Sequence, residues 1–234
     1  MRVIRNDAFI QKRMRWTQRG LIAGMGLLGL SFIMSMRATA ASYLPLLAYL
    51  PLLAGFVAAM TAARMGHRYL LPPRPDLALD RLLKGLDARF VVFHYLLPAE
   101  HLLLTPSGLI AIRMCRQRGR ISVRKGRWRH RPFSQRLRVL LGEVGLGNPA
   151  RDLRWQLAAT ARELRSLEVG EEGPPLEGLI VFYNDRTQLE VDDPEFPVVT
   201  ADDVKATVRA LAEAHPALPG RTHKALVAAL RGEE

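Results

Sequence analysis

Two stretches without a single charged residue fill most of the chain's first quarter. Residues 20–36 read GLIAGMGLLGLSFIMSM and residues 43–63 read YLPLLAYLPLLAGFVAAMTAA, 17 and 21 residues respectively. A helix rising ~1.5 Å per residue needs about 20 residues to cross ~30 Å of hydrocarbon, so both suit a span, the first at the short limit. Only RATAAS separates them. That connection suits two antiparallel helices and is too short to hold a domain, so residues 20–63 are expected to form a transmembrane helical hairpin. Neither run contains Asp, Glu, Lys or His, so the hairpin reads as an anchor and not as an ion pathway or proton relay. Gly20 and Gly24 have the spacing of a close helix contact but read as lipid-facing in so glycine-rich a segment.

A cleaved signal peptide is the competing reading of the first run. The long basic flank, the length of the run and the second apolar run directly after it all count against that. Orientation follows from the flanks. Arg2, Arg5, Lys12, Arg13, Arg15 and Arg19 precede the hairpin, Arg64, Arg68 and Arg74 follow it, and Arg37 alone lies between the runs. The positive-inside rule then predicts a two-pass cell-membrane protein with both termini cytoplasmic. Pro45 and Pro51 are tolerable near a helix start or as a kink repaired by neighbours.

The formal charge is +12, with one cysteine among 234 residues. A lone cysteine excludes an internal disulfide and the zinc cages, and a reducing compartment is the simpler assumption. The charge is not spread evenly: residues 113–138 hold eleven Lys/Arg and no acid, whereas residues 163–213 hold thirteen acids against four bases. The chain divides into a basic cytoplasmic segment (1–19), the hairpin (20–63), a proline-rich linker (64–75), an α/β domain (76–214) and a C-terminal helix or tail (215–234).

Within the domain, Asp76 is a candidate helix N-cap, and Leu79, Leu82, Leu83 and Leu86 give a short amphipathic helix with Asp80 at the edge of its apolar face. RFVVFHY (89–95) reads as a buried strand, and EHLLLTPSGLIAIRMC (100–115) as two strands joined at Pro106 to Gly108. The basic stretch follows, with Gly119 and Gly126 as turn marks. Asn148-Pro149 opens a long helix striped by Leu153, Leu157, Ala161, Leu164 and Leu167. EGLIVFYND (177–185) is a further strand. Thr200 with Asp203 resembles a capping box, with Val199 and Val204 as a staple, and starts the next helix. This order predicts an α/β layer fold with a mixed sheet.

The order and four local pieces resemble the nuclease-related domain (NERD) family, which has a PD-(D/E)xK restriction-endonuclease-like core. The pieces are EHLLLTPSGLIAIRMC, RGRISVRKGRW, NPARDLRWQLAATARELRSL and GLIVFYN, and the resemblance covers roughly residues 76–214. It implies a site in which carboxylates from successive strands hold a divalent cation and a nearby lysine positions water or stabilises charge. Carried onto this chain, the helix acid falls on Asp80 and the first strand acid on Glu100. The second strand acid falls on Arg113 and the lysine on Cys115.

Arginine at the position of a metal-binding carboxylate adds a fixed cation where Mg²⁺ would sit, and it can pair with Glu100 directly. No metal and no cofactor are therefore expected, and the four positions read as vestigial. Cys115 reads as a small hydrophobe, and His94 and His101 as satisfied strand histidines. The basic block points to partners. Arg116, Arg118, Arg120, Arg124, Lys125, Arg127, Arg129 and Arg131, with Trp128 for stacking, suit nucleic acid. Anionic lipid headgroups are the rival ligand, and pairing with the acidic C-terminal third is another reading. The function expected is a membrane-anchored, non-hydrolytic NERD-like domain that binds nucleic acid or scaffolds a protein partner. The alternative is an active Mg²⁺-dependent nuclease with an atypical shell of Asp80 and Glu100.

Overall fold

A computed structural model describes residues 1–37, 44–69, 72–131, 145–166 and 173–231. The loop between the apolar runs, the linker residues 70–71, and Phe133, Arg136, Arg138 and Leu167 lie outside the described residues. The chain forms two compact units, one α/β and one a helical hairpin.

The α/β unit begins earlier than the sequence suggests. Residues 1–6 belong to it, and Arg2–Arg5 form strand β1, paired in parallel with β2 (Val91–His94) in the register Arg2 to Val91 and Arg5 to His94. The Met1 amine is 2.9 Å from the carbonyl of Leu86 and donates to it. The segment 1–19 is thus not one basic flank: its first residues are an edge strand of the folded domain. Between β1 and β2 come the hairpin and α3 (Pro75–Leu83), whose first turn contains Asp76 behind Pro75 in place of the expected Asp76 N-cap.

From β2 the chain runs antiparallel through β3 (His101–Leu104) and β4 (Leu109–Cys115). Strands β5 (Gly119–Arg124) and β6 (Arg127–Arg131) follow, then α4 (Pro149–Ser166). Strand β7 (Leu176–Phe182) returns parallel to β4, and β8 (Thr187–Asp192), β9 (Val198–Thr200), α5 (Val204–Glu213) and α6 (Gly220–Arg231) complete the unit. The main sheet has six strands in the order β1-β2-β3-β4-β7-β9, and a second has three in the order β6-β5-β8. The fold is α/β with mixed sheets.

Strands β2, β3 and β4 are almost entirely buried because helices cover both faces of the sheet, which is why they read as near-continuous apolar runs. Leu102, Leu104, Ala111 and Phe182 point to the face covered by α4 and α6. Val92, Leu103, Ile112 and Val181 point to the face covered by α3 and α5. Leu226 and Leu230 of α6 are buried in the first of these cores, so the segment after residue 214 is part of the domain. Asn148 caps α4 as expected, its Oδ1 accepting the Arg151 N–H at 3.0 Å. The expected capping box at Thr200 is displaced: α5 starts at Val204 behind Asp203, whose side chain caps nothing.

In the second unit, α1 (Asp7–Arg37) and α2 (Leu44–Tyr69) are both long and apolar enough to cross a membrane. Only 11% of the apolar window of α1 and 17% of that of α2 is buried, so these are not the covered core helices of a globular fold. Gly24 is buried at the helix contact and does not face outward: a Cβ there would come 2.9 Å from the Ala59 nitrogen, and one on Gly55 would come 2.9 Å from the Gly24 carbonyl. The Ser31 hydroxyl adds a buried interhelical bond of 2.8 Å to the carbonyl of Ala48.

Candidate functional site

Strand alternation decides what the predicted site residues can do together. Arg113 lies two residues beyond Ala111, so it shares the α4 face of the sheet. Its guanidinium is 3.3 Å from both carboxylate oxygens of Glu100 and 3.3 Å from Asp152 Oδ2 in the first turn of α4. Arg113 and Glu100 are about one-fifth exposed. One cation therefore sits between two carboxylates. Asp152 was not expected here. Its signal was an acid in the first turn after Asn148-Pro149, where helix-dipole stabilisation is the ordinary reading.

Asp80 is elsewhere. It projects from α3 onto the opposite face, where its Oδ1 lies 2.9 Å from His94 Nε2 and its Oδ2 lies 2.5 Å from Arg5 Nη2. Arg5 Nε reaches Asp76 at 3.3 Å, and His94 Nδ1 is 2.9 Å from His101 Nδ1. Asp76, His94 and His101 are fully buried. With β1 in place, Arg5 compensates two acids that apolar burial would otherwise penalise. Asp80 and Glu100 thus stand on opposite faces of one sheet and cannot share one metal shell. Among the described residues no group of three or more His, Cys, Asp or Glu is placed to hold a metal ion.

Cys115 is buried in the α4-side core, and loss of hydration there pushes its thiol up to about 12. The nearby Arg113 pulls the other way more weakly. At neutral pH the group is a protonated thiol, neither a nucleophile nor a stand-in for an ammonium.

The basic block forms the β5–β6 ribbon, turned by Lys125 and Gly126, whose positive φ values of 48° and 72° suit a tight hairpin. Ile121, Val123 and Trp128 point inward, and the Trp128 ring lies 6.3 Å from that of Phe182. Trp128 is therefore half-buried against the core and not a fully exposed stacking platform. Arg120, Arg124, Arg127 and Arg129 are exposed on the other side, with Arg124 opposite Arg127 in the strand register. Arg131 pairs with Arg120 in that register. Arg116 and Arg118 precede β5 in the connecting segment and are half-buried. Strand β8 adds Glu190, 3.4 Å from Arg120, so the expected pairing with the acidic third is met at this edge of the ribbon.

No protein-family model, no curated protein and no solved structure matches this chain.

Proposed function

We propose that this chain is a membrane-anchored, NERD-like domain that has given up hydrolysis and binds nucleic acid through the outer face of the β5–β6 ribbon. The observation that carries this reading is Arg113 seated between Glu100 and Asp152. A guanidinium supplies charge but no open coordination position and no acidified water, so the pair of acids is stabilised without being made catalytic. The element order of helix, three antiparallel strands, helix and parallel strand supports the resemblance to a restriction-endonuclease-like core.

The ribbon supports the binding half. On the outer face Arg120 and Arg124 of β5 lie beside Glu190 and Asp192 of β8, while Arg127 and Arg129 of β6 are exposed away from those acids, a pair of cations that is favourable against a phosphate backbone. With Trp128 turned inward, such binding rests on phosphates and is blind to base sequence. Anchoring follows from the two apolar helices. The parallel pairing of β1 with β2 brings the chain before and after the hairpin into one domain, so both ends belong on one side of the membrane. The flanking basic residues make that side the cytoplasm.

The test uses the full chain in detergent. Fluorescent single- and double-stranded substrates with Mg²⁺ or Mn²⁺ should remain uncut, and oligonucleotide anisotropy should rise with a steep salt dependence. Replacing Arg127 and Arg129 with Ala should flatten the salt slope by nearly two units. Cleavage above background, or binding that ignores salt and these arginines, would remove this reading.

A further inference from the structure

Among the described residues of the α/β unit the large apolar side chains on the surface are Val3, Leu77, Trp155 and Val191, and Trp155, 65% exposed, is the aromatic among them. It stands in the middle of α4, whose other face is fixed in the core by Leu153 and Leu164. Residues at i−4, i+3, i+4 and i+7 share its stripe, which places Arg151 one turn before it, Ala158 and Ala159 one turn after, and Arg162 one turn further on. Arg151 and Arg162 are exposed on the stripe, and at its two borders Glu163 and Arg165 are exposed as well and offset each other. The acid Asp152 is engaged by Arg113, and Arg154 by Glu195, so both leave the stripe to the other arginines.

We propose that this stripe of α4 is a membrane-interface contact, with the Trp155 indole at the headgroup level and Arg151 and Arg162 on anionic phospholipid headgroups. The inference rests on the reading of α1 and α2 as a transmembrane hairpin. Tryptophan is favoured at the bilayer interface because its body is apolar and its N–H is polar, and arginine beside it adds attraction to an anionic leaflet. Only residues 7–19 of α1 separate the domain from the apolar run, about 20 Å of helix, so the local concentration of lipid surface is high throughout. Nucleic acid fits this stripe less well. Trp155 sits on a convex helix beside alanines, with no second ring stacked on it among the described residues, whereas base-stacking aromatics line a charged groove.

The experiment places an environment-sensitive dye at Ala158→Cys in the full chain, reconstituted in lipid nanodiscs. Cys115 is buried and is not labelled. In discs containing phosphatidylglycerol the emission should shift to the blue and be quenched by nitroxide carried near the headgroup. Arg151→Ala should lower the ratio of quenched to unquenched dye about five-fold, and neutral phosphatidylcholine discs should lower it further. The same dye at Ile33→Cys, on the exposed side of α1 and three residues from the end of the apolar run, reports the hairpin through nitroxide carried high on the acyl chains. Quenching at Ile33 with a water-like emission at Ala158 in every lipid would overturn the proposal alone. No quenching at Ile33 would remove the hairpin and the proposal with it. A dye response to oligonucleotide in place of lipid would also overturn it and assign the stripe to nucleic acid.

Discussion

Arg113 is the residue whose exchange says most about the site. Arg113→Ala leaves Glu100 and Asp152 facing each other without their cation, and because the group is about four-fifths covered the loss should be roughly 1 to 3 kcal/mol by chemical denaturation. Arg113→Glu brings a third carboxylate between the same two acids. Titration calorimetry should then detect divalent-cation binding that the parent chain lacks, whether or not hydrolysis appears. A stable Arg113→Glu protein with no heat of Mg²⁺, Mn²⁺ or Ca²⁺ binding would contradict the view that this is a vacated cation position. Adding a lysine at Cys115 would not help, since its thiol lies in the core and an ammonium there would be desolvated. Cys115 itself yields a pH prediction. Its thiol is raised from 9.0 to about 12 in the folded chain, so the fold holds a proton that the unfolded chain releases earlier. That contribution to stability is complete below pH ~9 and is lost as the pH rises to about 12. Cys115→Ala should therefore lose less stability over this window than the parent, as read from denaturant midpoints at matched pH.

At the scale of elements, Gly24 and Gly55 let the two helix backbones of the hairpin approach closely. Gly20 and Ala62 lie on the same contact, and a Cβ on Gly20 would stand 3.6 Å from that of Ala62, which is disulfide geometry. Gly20→Cys with Ala62→Cys should cross-link under mild oxidation, and adding Gly55→Leu should suppress the cross-link several-fold by forcing the helices apart. Efficient cross-linking in the Gly55→Leu background would mean that the glycines do not set the contact. The glycine spacing was visible in the sequence, but a glycine on a lipid-facing stripe has the same letters, and only the partner helix distinguishes them. Where periodicity is strong the elements were legible: the β3–β4 hairpin and the Asn148-Pro149 start of α4 lie where their patterns put them, and of the leucines expected in α3, Leu79, Leu82 and Leu83 are in the helix while Leu86 lies beyond its end. The direction of Trp128 was also recoverable, since Ile121, Val123 and Trp128 alternate with arginines across a two-residue turn. What could not be read was β1. Four residues, two of them arginine, resemble a membrane flank, and their pairing with β2 is a contact across 89 positions that no local pattern announces.

That long-range pairing governs the whole molecule. The domain is interrupted by the helical hairpin, and Arg5 returns from the far side of the interruption to compensate Asp76 and Asp80. Arg5→Ala leaves the fully buried Asp76 short of its cation and should cost about 3 kcal/mol. Cutting the anchor away tests the same dependence on a larger scale. A fragment starting at residue 72 keeps the later helices and strands but loses β1, exposes the edge of β2 and removes Arg5 from the two acids. Joining Asn6 to Pro75 by a flexible linker of about 20 residues, which reaches ~25 Å, keeps β1 in the same chain without the hairpin. The linked protein should be soluble and melt cooperatively, while the fragment should melt at a clearly lower temperature or aggregate through its open edge. Equal melting of the two would mean that β1 contributes nothing to the fold. No strand pair would then be needed to hold both ends of the proposed membrane hairpin on one side of a bilayer.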